Sequence, residues 1–169
     1  LQEDPWNTDL PDVHYEETLG LLTRTAECFW RQGAFDSALD LIQKTFAHAK
    51  DAVDKAPCAI LKSRVYAIQG DSFAAFQVLK QCATDLGLAI PDTSWEACDA
   101  ECHRICSTLH ANDTETLLSR SPSSDRVATT IGSVLVELMS AAFWSDSLLF
   151  YQMSLIMVNM HLTKDTVPQ

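Results

Sequence analysis

From about Val13 onward, apolar residues recur every three to four positions with few interruptions. That spacing puts them on one face of an α-helix. No segment keeps the strict alternation of a half-buried strand. The pattern predicts a first helix from Val13 to Arg31, with Leu19, Leu22, Ala26, Phe29 and Trp30 inward. Gln32-Gly33 ends it. A second helix is predicted over Phe35–Val53, and a third over Pro57–Gln69, with Pro57 in its first turn. Gly70 stops the third, Asp71 or Ser72 caps a fourth, and Gly87 closes that one near Leu86. Further helices are predicted from Asp92 or Thr93 to His110, over Glu115–Leu118, from Asp125 to Trp144, and from Asp146 to Thr163. The expected fold class is therefore all-α, with seven or eight helices. Residues 1–12 form a lead-in, 13–163 one domain and 164–169 a tail.

Two stretches match at a constant offset of 37 residues. Ala26 pairs with Ser63, Phe29 with Tyr66, Gly33 with Gly70, Ala38 with Ala75, and Ile42 with Leu79. A fixed offset over five positions marks a repeated two-helix unit. A small residue midway along the first helix lets the second approach, and Gly permits the tight turn between them. The pattern resembles tetratricopeptide-like repeats, which stack antiparallel helix pairs into an α-solenoid. Its units would be residues 13–53 and 54–90, followed by helix pairs over 93–120 and 125–163.

A wider resemblance rests on order and spacing. His14-Tyr15-Glu16-Glu17-Thr18-Leu19 leads to Ala26-Glu27, Gly33-Ala34-Phe35, Ala38, Ala49 and Asp54-Lys55. Gly70 with Ala75, Leu86-Gly87-Leu88 and Pro91 follow, then Asp125, Leu135, Leu138 and Asp146-Ser147-Leu148-Leu149. This is similar to the helical-repeat region of very large sensor histidine kinases, fungal hybrid kinases and bacterial multi-sensor kinases among them. In that family a kinase-like head and an AAA-type ATPase precede the repeats, and GAF and histidine-kinase modules follow. The resemblance implies a cytoplasmic, non-catalytic scaffold in two-component, stress-type signalling. Its partners would be other domains of the same chain, another protein or a second copy. Leu1 at the start and Val167-Pro168-Gln169 at the end suit a piece of a longer chain.

Charge narrows the partners. The chain holds 23 Asp and Glu against 12 Lys and Arg, a formal charge of −11. Acids outnumber bases in every third of it, and no basic cluster offers phosphate contacts, so nucleic acid and anionic membrane are not expected. The apolar run over Val127–Leu162 is broken at Ser145-Asp146-Ser147. It reads as two buried helices, each short of the ~20 residues of a bilayer span.

Candidate chemistry is sparse. Cys98, Cys102 and Cys106 recur every four residues beside His103, with His110 further on. Such sulfurs suit zinc, or a redox stripe. The pattern favours a small-residue packing face of reduced thiols, with no metal and no cofactor. His48 is followed by Asp51 where a phosphotransfer histidine commonly has Lys at that spacing, which disfavours a phosphorelay bundle. Met153, Met157 and Met160 form a stripe for packing within the parent protein or for a partner. Ser119, Ser121, Ser123 and Ser124 read as a linker, and the Asn112-Asp113-Thr114 sequon has no role in a cytosolic chain. No catalytic constellation stands out. The main alternative is an independent adaptor that holds a peptide in a repeat groove.

Overall fold

The computed structural model describes Trp6, residues 14–111 and residues 124–163. Among the described residues there are seven helices and no strand, so the fold is all-α. They are α1 (Tyr15–Arg31), α2 (Phe35–His48), α3 (Ala52–Ile68), α4 (Ser72–Asp85), α5 (Trp95–Ala111), α6 (Arg126–Ser145) and α7 (Ser147–Thr163). The predicted short helix over Glu115–Leu118, the sequon, the serines at 119, 121 and 123, and the tail over 164–169 lie outside the described residues.

Aspartates start four of these helices. Asp51 accepts from the Asp54 N–H at 2.8 Å, Asp71 from Ala74 at 2.9 Å and Asp125 from Val127 at 2.9 Å. Asp146 accepts from Leu148 at 2.8 Å and Leu149 at 3.0 Å. Each satisfies donors a helix start leaves open and places negative charge at the positive end of the dipole. Part of the chain's acidity is therefore structural.

Two turns carry the repeat. At Gly33 (φ +77°) the Ala34 N–H reaches back to the Phe29 carbonyl at 2.9 Å. At Gly70 (φ +83°) the Asp71 N–H reaches the Tyr66 carbonyl at 3.0 Å. The matched aromatics thus mark the same bond in the same turn. A Cβ at either glycine would meet open space, so only the left-handed backbone demands Gly. Gly33→Ala and Gly70→Ala should each cost about 1 kcal/mol in urea unfolding, with the native helical signal kept.

One boundary differs from the sequence prediction. The second helix does not run to Val53. Ala49 is extended, Asp51 caps, and α3 begins at Ala52. Pro57 therefore lies inside α3 and not in its first turn. Having no N–H, it leaves the carbonyl four residues earlier without its helical donor.

Helix α1 pairs with α2, and α3 pairs with α4. Helix α3 also touches both α1 and α2, and α6 touches both α3 and α4 in the same order. Helix α7 then pairs with α6. Helix α5 does not take the place after α4 that the predicted pair over 93–120 would give it. It lies against α7, through a small cluster of Cys98, Ile105 and Leu155.

The largest core cluster joins Phe76 and Leu79 of α4 to Val134, Leu135 and Leu138 of α6 and to Met153 of α7. Ala26, Ala38, Ser63 and Ala75, the small repeat positions, are all buried, as are Ile42 and Leu79. Phe29 and Tyr66 are half-buried. Buried Ser63 donates to its own helix at Ile60 (2.7 Å), so the hydroxyl that replaces Ala26's methyl is satisfied. Helix α6 has 20 residues, the length predicted, shifted by one position, and is the one described helix long and apolar enough to cross a membrane. Its apolar side chains Val134, Leu135 and Leu138 are buried against other helices of the chain.

Candidate functional site

The first helices of the three pairs, α1, α3 and α6, border a groove of about 440 Å³. Thr23 and Glu27 face it from α1. Ala56, Pro57, Ile60 and Arg64 face it from α3, and Arg126, Thr129, Thr130 and Ser133 from α6. The floor is apolar and the rims carry hydroxyls and charge, a surface suited to the backbone and small side chains of an extended segment.

A polar contact spans all three helices at each end of the groove. At one end Asp54 of α3, only 5% exposed, accepts from the Tyr15 hydroxyl of α1 at 2.6 Å and from Arg126 of α6 at 2.7 Å. Tyr15 Oη in turn accepts from the Lys50 N–H at 2.9 Å, and the Lys50 ammonium lies 3.8 Å from the ring centre. At the other end Arg64 of α3 pairs with Glu137 of α6 and lies 5.7 Å from the ring of Trp30 on α1. Asp54 and Arg64 are ten residues apart on one helix, or roughly 15 Å along its axis. The two clamps hold the first helices in register on either side of the groove. A buried carboxylate is tolerated at Asp54 because charged and neutral donors both reach it.

Burial, then the bond to Asp54, raises the Tyr15 phenol above its ordinary 10. The folded state favours the neutral phenol. Its stabilisation is complete below pH 10 and is lost as pH rises through the higher folded value. The Tyr151 phenol is raised as well, by its bond to Cys102, by desolvation and by its bond to Asp99. The tyrosinate absorbance of the native chain should therefore show two Tyr titrating late, and Tyr15→Phe should remove one of them and leave the Tyr151 component.

The remaining sequence candidates fall elsewhere. Ala38, Ala75, Ile42 and Leu79 hold helix pairs together behind the groove. Met153 and Met160 are buried and belong to the core, which corrects their reading as a partner surface. Only Met157 is partly exposed, because α7 is packed on by α6 along one side and by α5 along another. Cys98 is buried, Cys102 half-buried and Cys106 exposed, so the predicted packing face holds at one end of the stripe only. Among the described residues no group of His, Cys, Asp and Glu could hold a metal ion. The redox reading meets a chemical obstacle. Arg104, the base beside the stripe, is held by Glu101 at 2.8 Å and by Asn159 at 2.7 Å. The Cys106 thiol is pushed up by desolvation and by the Cys102 thiol next to it, away from thiolate chemistry. His48 is exposed at the end of α2, with Trp6 stacked on it at 4.9 Å.

Burial also raises the Cys58 thiol, and it raises Cys82 to about 11. With a thiol reagent at pH 8, exposed Cys28 and Cys106 should label first. Buried Cys58, Cys82 and Cys98 should label only with denaturant.

None of Tyr15, Asp54, Arg64, Arg126 and Glu137 was marked as a site by sequence reasoning. One signal was available. Glu27 and Arg64 stand 37 residues apart, so the repeat puts an acid and a base at one position of adjacent units, both facing the groove. No protein-family model matches this chain, nor does any curated protein or solved structure.

Proposed function

We propose that this chain is a non-catalytic helical scaffold of the tetratricopeptide-like kind, which holds an extended segment of a partner or of a neighbouring domain between α1, α3 and α6. The observation that carries this reading is the recurrence of one packing order. Helix α3 lies on the pair before it, as α6 lies on the pair before it, and the clamps fix the resulting groove. A preformed groove spares a partner part of the ordering cost of binding. Helix α5 then reads as an excursion between the second and third pairs.

The order of residues from His14 to Leu149 supports placing the scaffold in the helical-repeat region of a large cytoplasmic sensor histidine kinase. In that setting a signal at one end of the stack would bias the catalytic modules at the other. The test is a peptide map, by mass spectrometry, of the native polypeptide captured with an antibody to this segment. Peptides from ATPase, GAF and histidine-kinase sequence in the same polypeptide would support the kinase setting. A native polypeptide without them would overturn it and favour an independent peptide-binding adaptor.

A further inference from the structure

An exposed apolar face lies on α6 and α7. Val136 is 51% exposed, Phe143 58% and Trp144 75%. Val136, Met139 and Phe143 follow one another at spacings of three and four, so they share one side of α6. Phe150 and Met157, seven apart and half-exposed, share a side of α7. The Phe143 ring meets Phe150 edge-on at 5.4 Å and Trp144 at 5.0 Å, which joins the two rows into one face. Monomeric surfaces seldom leave such aromatic groups uncovered together.

The charge pattern says what can cover it. From Leu138 to Thr163 the only charged side chain is Asp146, and its carboxylate caps α7. Elsewhere the chain is strongly acidic, so two copies repel one another almost anywhere but here. The available area is adequate. Two helices about 25 Å long and 8–10 Å apart present roughly 500 Å² per copy, or about 1,000 Å² in total, near the lower bound for a specific interface.

We propose that a second copy of this chain covers this face, in a symmetric dimer built from α6 and α7. A two-fold axis lets the same patch serve both partners and closes the assembly at two. Helix then packs on helix, as it does between successive pairs within the chain. The groove between α1, α3 and α6 stays open in each copy, so the dimer would present two of them.

Sedimentation equilibrium of the chain from about 1 to 100 µM tests this. The expected mass rises from 18.7 kDa towards twice that value, with a midpoint in the micromolar range, and high salt does not reverse it. Val136→Glu with Phe143→Glu should weaken association by roughly 100-fold, while Phe73→Glu, a change at an exposed aromatic on α4, should not. Circular dichroism verifies that helix content is kept. If the glutamate pair unfolds the chain, Val136→Ser with Phe143→Ser replaces it. A chain that remains at 18.7 kDa at the highest concentration overturns the proposal and leaves the face to a helix of another protein. So does a dimer that survives the α6 changes, or one that Phe73→Glu dissolves.

Discussion

Leu138→Ala should lower the unfolding free energy by about 3 kcal/mol and the melting temperature by about 10 °C. Leu138 is fully buried on α6, in the cluster that joins it to α4 and α7. Truncation removes the transfer free energy of the lost carbons and leaves a cavity that three rigid helices cannot collapse around. Val127→Ala on the same helix is the matched comparison, since Val127 is 40% exposed and lies outside the face proposed for the dimer. It should change the melt by no more than about 0.5 kcal/mol. Equal effects at the two positions would show that α6 does not bury the side predicted by its spacing.

Asp54→Ala should cost about 2 kcal/mol at neutral pH, measured by urea unfolding. The carboxylate is almost wholly buried, and its loss leaves the Tyr15 hydroxyl without its acceptor and the Arg126 guanidinium without its counter-ion. Asp54→Asn keeps an acceptor for Tyr15 but not the charge for Arg126, so it should fall between wild type and Ala. A Tyr15→Phe, Asp54→Ala cycle should show coupling, because the two side chains share one hydrogen bond. Additive losses would place Asp54's contribution at the α3 start and not in the clamp.

Much of the fold could be read along the chain because its signals are local. Gly33 and Gly70 mark turns whose backbone only Gly adopts easily, and Asp71, Asp125 and Asp146 open helices by capping them. The α2–α3 boundary was harder to read. It is made by Ala49 and Asp51, with no Gly or Pro at the break, while Pro57 draws the eye to a later start. The place of α5 was hidden for a different reason. Asp71 and Asp146, the caps of the second and third pairs, are 75 residues apart, close to two repeat lengths. The α5 excursion therefore occupies about the length of one repeat, and periodicity alone counts it as one. Its amphipathic pattern shows that it has a buried side, but not that α7 covers it.

The clamps were invisible for a similar reason. Asp54 lies 39 residues from Tyr15 and 72 from Arg126, and Arg64 lies 73 from Glu137. No local spacing connects such pairs. A single polar residue among the apolar positions of α3 reads as a solvated interruption until the neighbouring helices are in place. The methionine stripe left two readings open, packing or a partner surface, and burial of Met153 and Met160 decides for packing. Their helical spacing is the same for a core stripe and for a docking stripe, and only the position of α6 decides between them.

The groove between α1, α3 and α6 is the place where this chain is proposed to hold a partner. Its most direct test is to select binders from a library of extended peptides on the intact chain and to map the strongest by NMR titration. Shifts should cluster at Thr23, Ile60, Arg64 and Thr130, and Ile60→Glu should abolish them while leaving helix content intact. Shifts centred elsewhere, such as the crevice between Phe46 and Val78, would contradict the account, as would binding indifferent to Ile60→Glu.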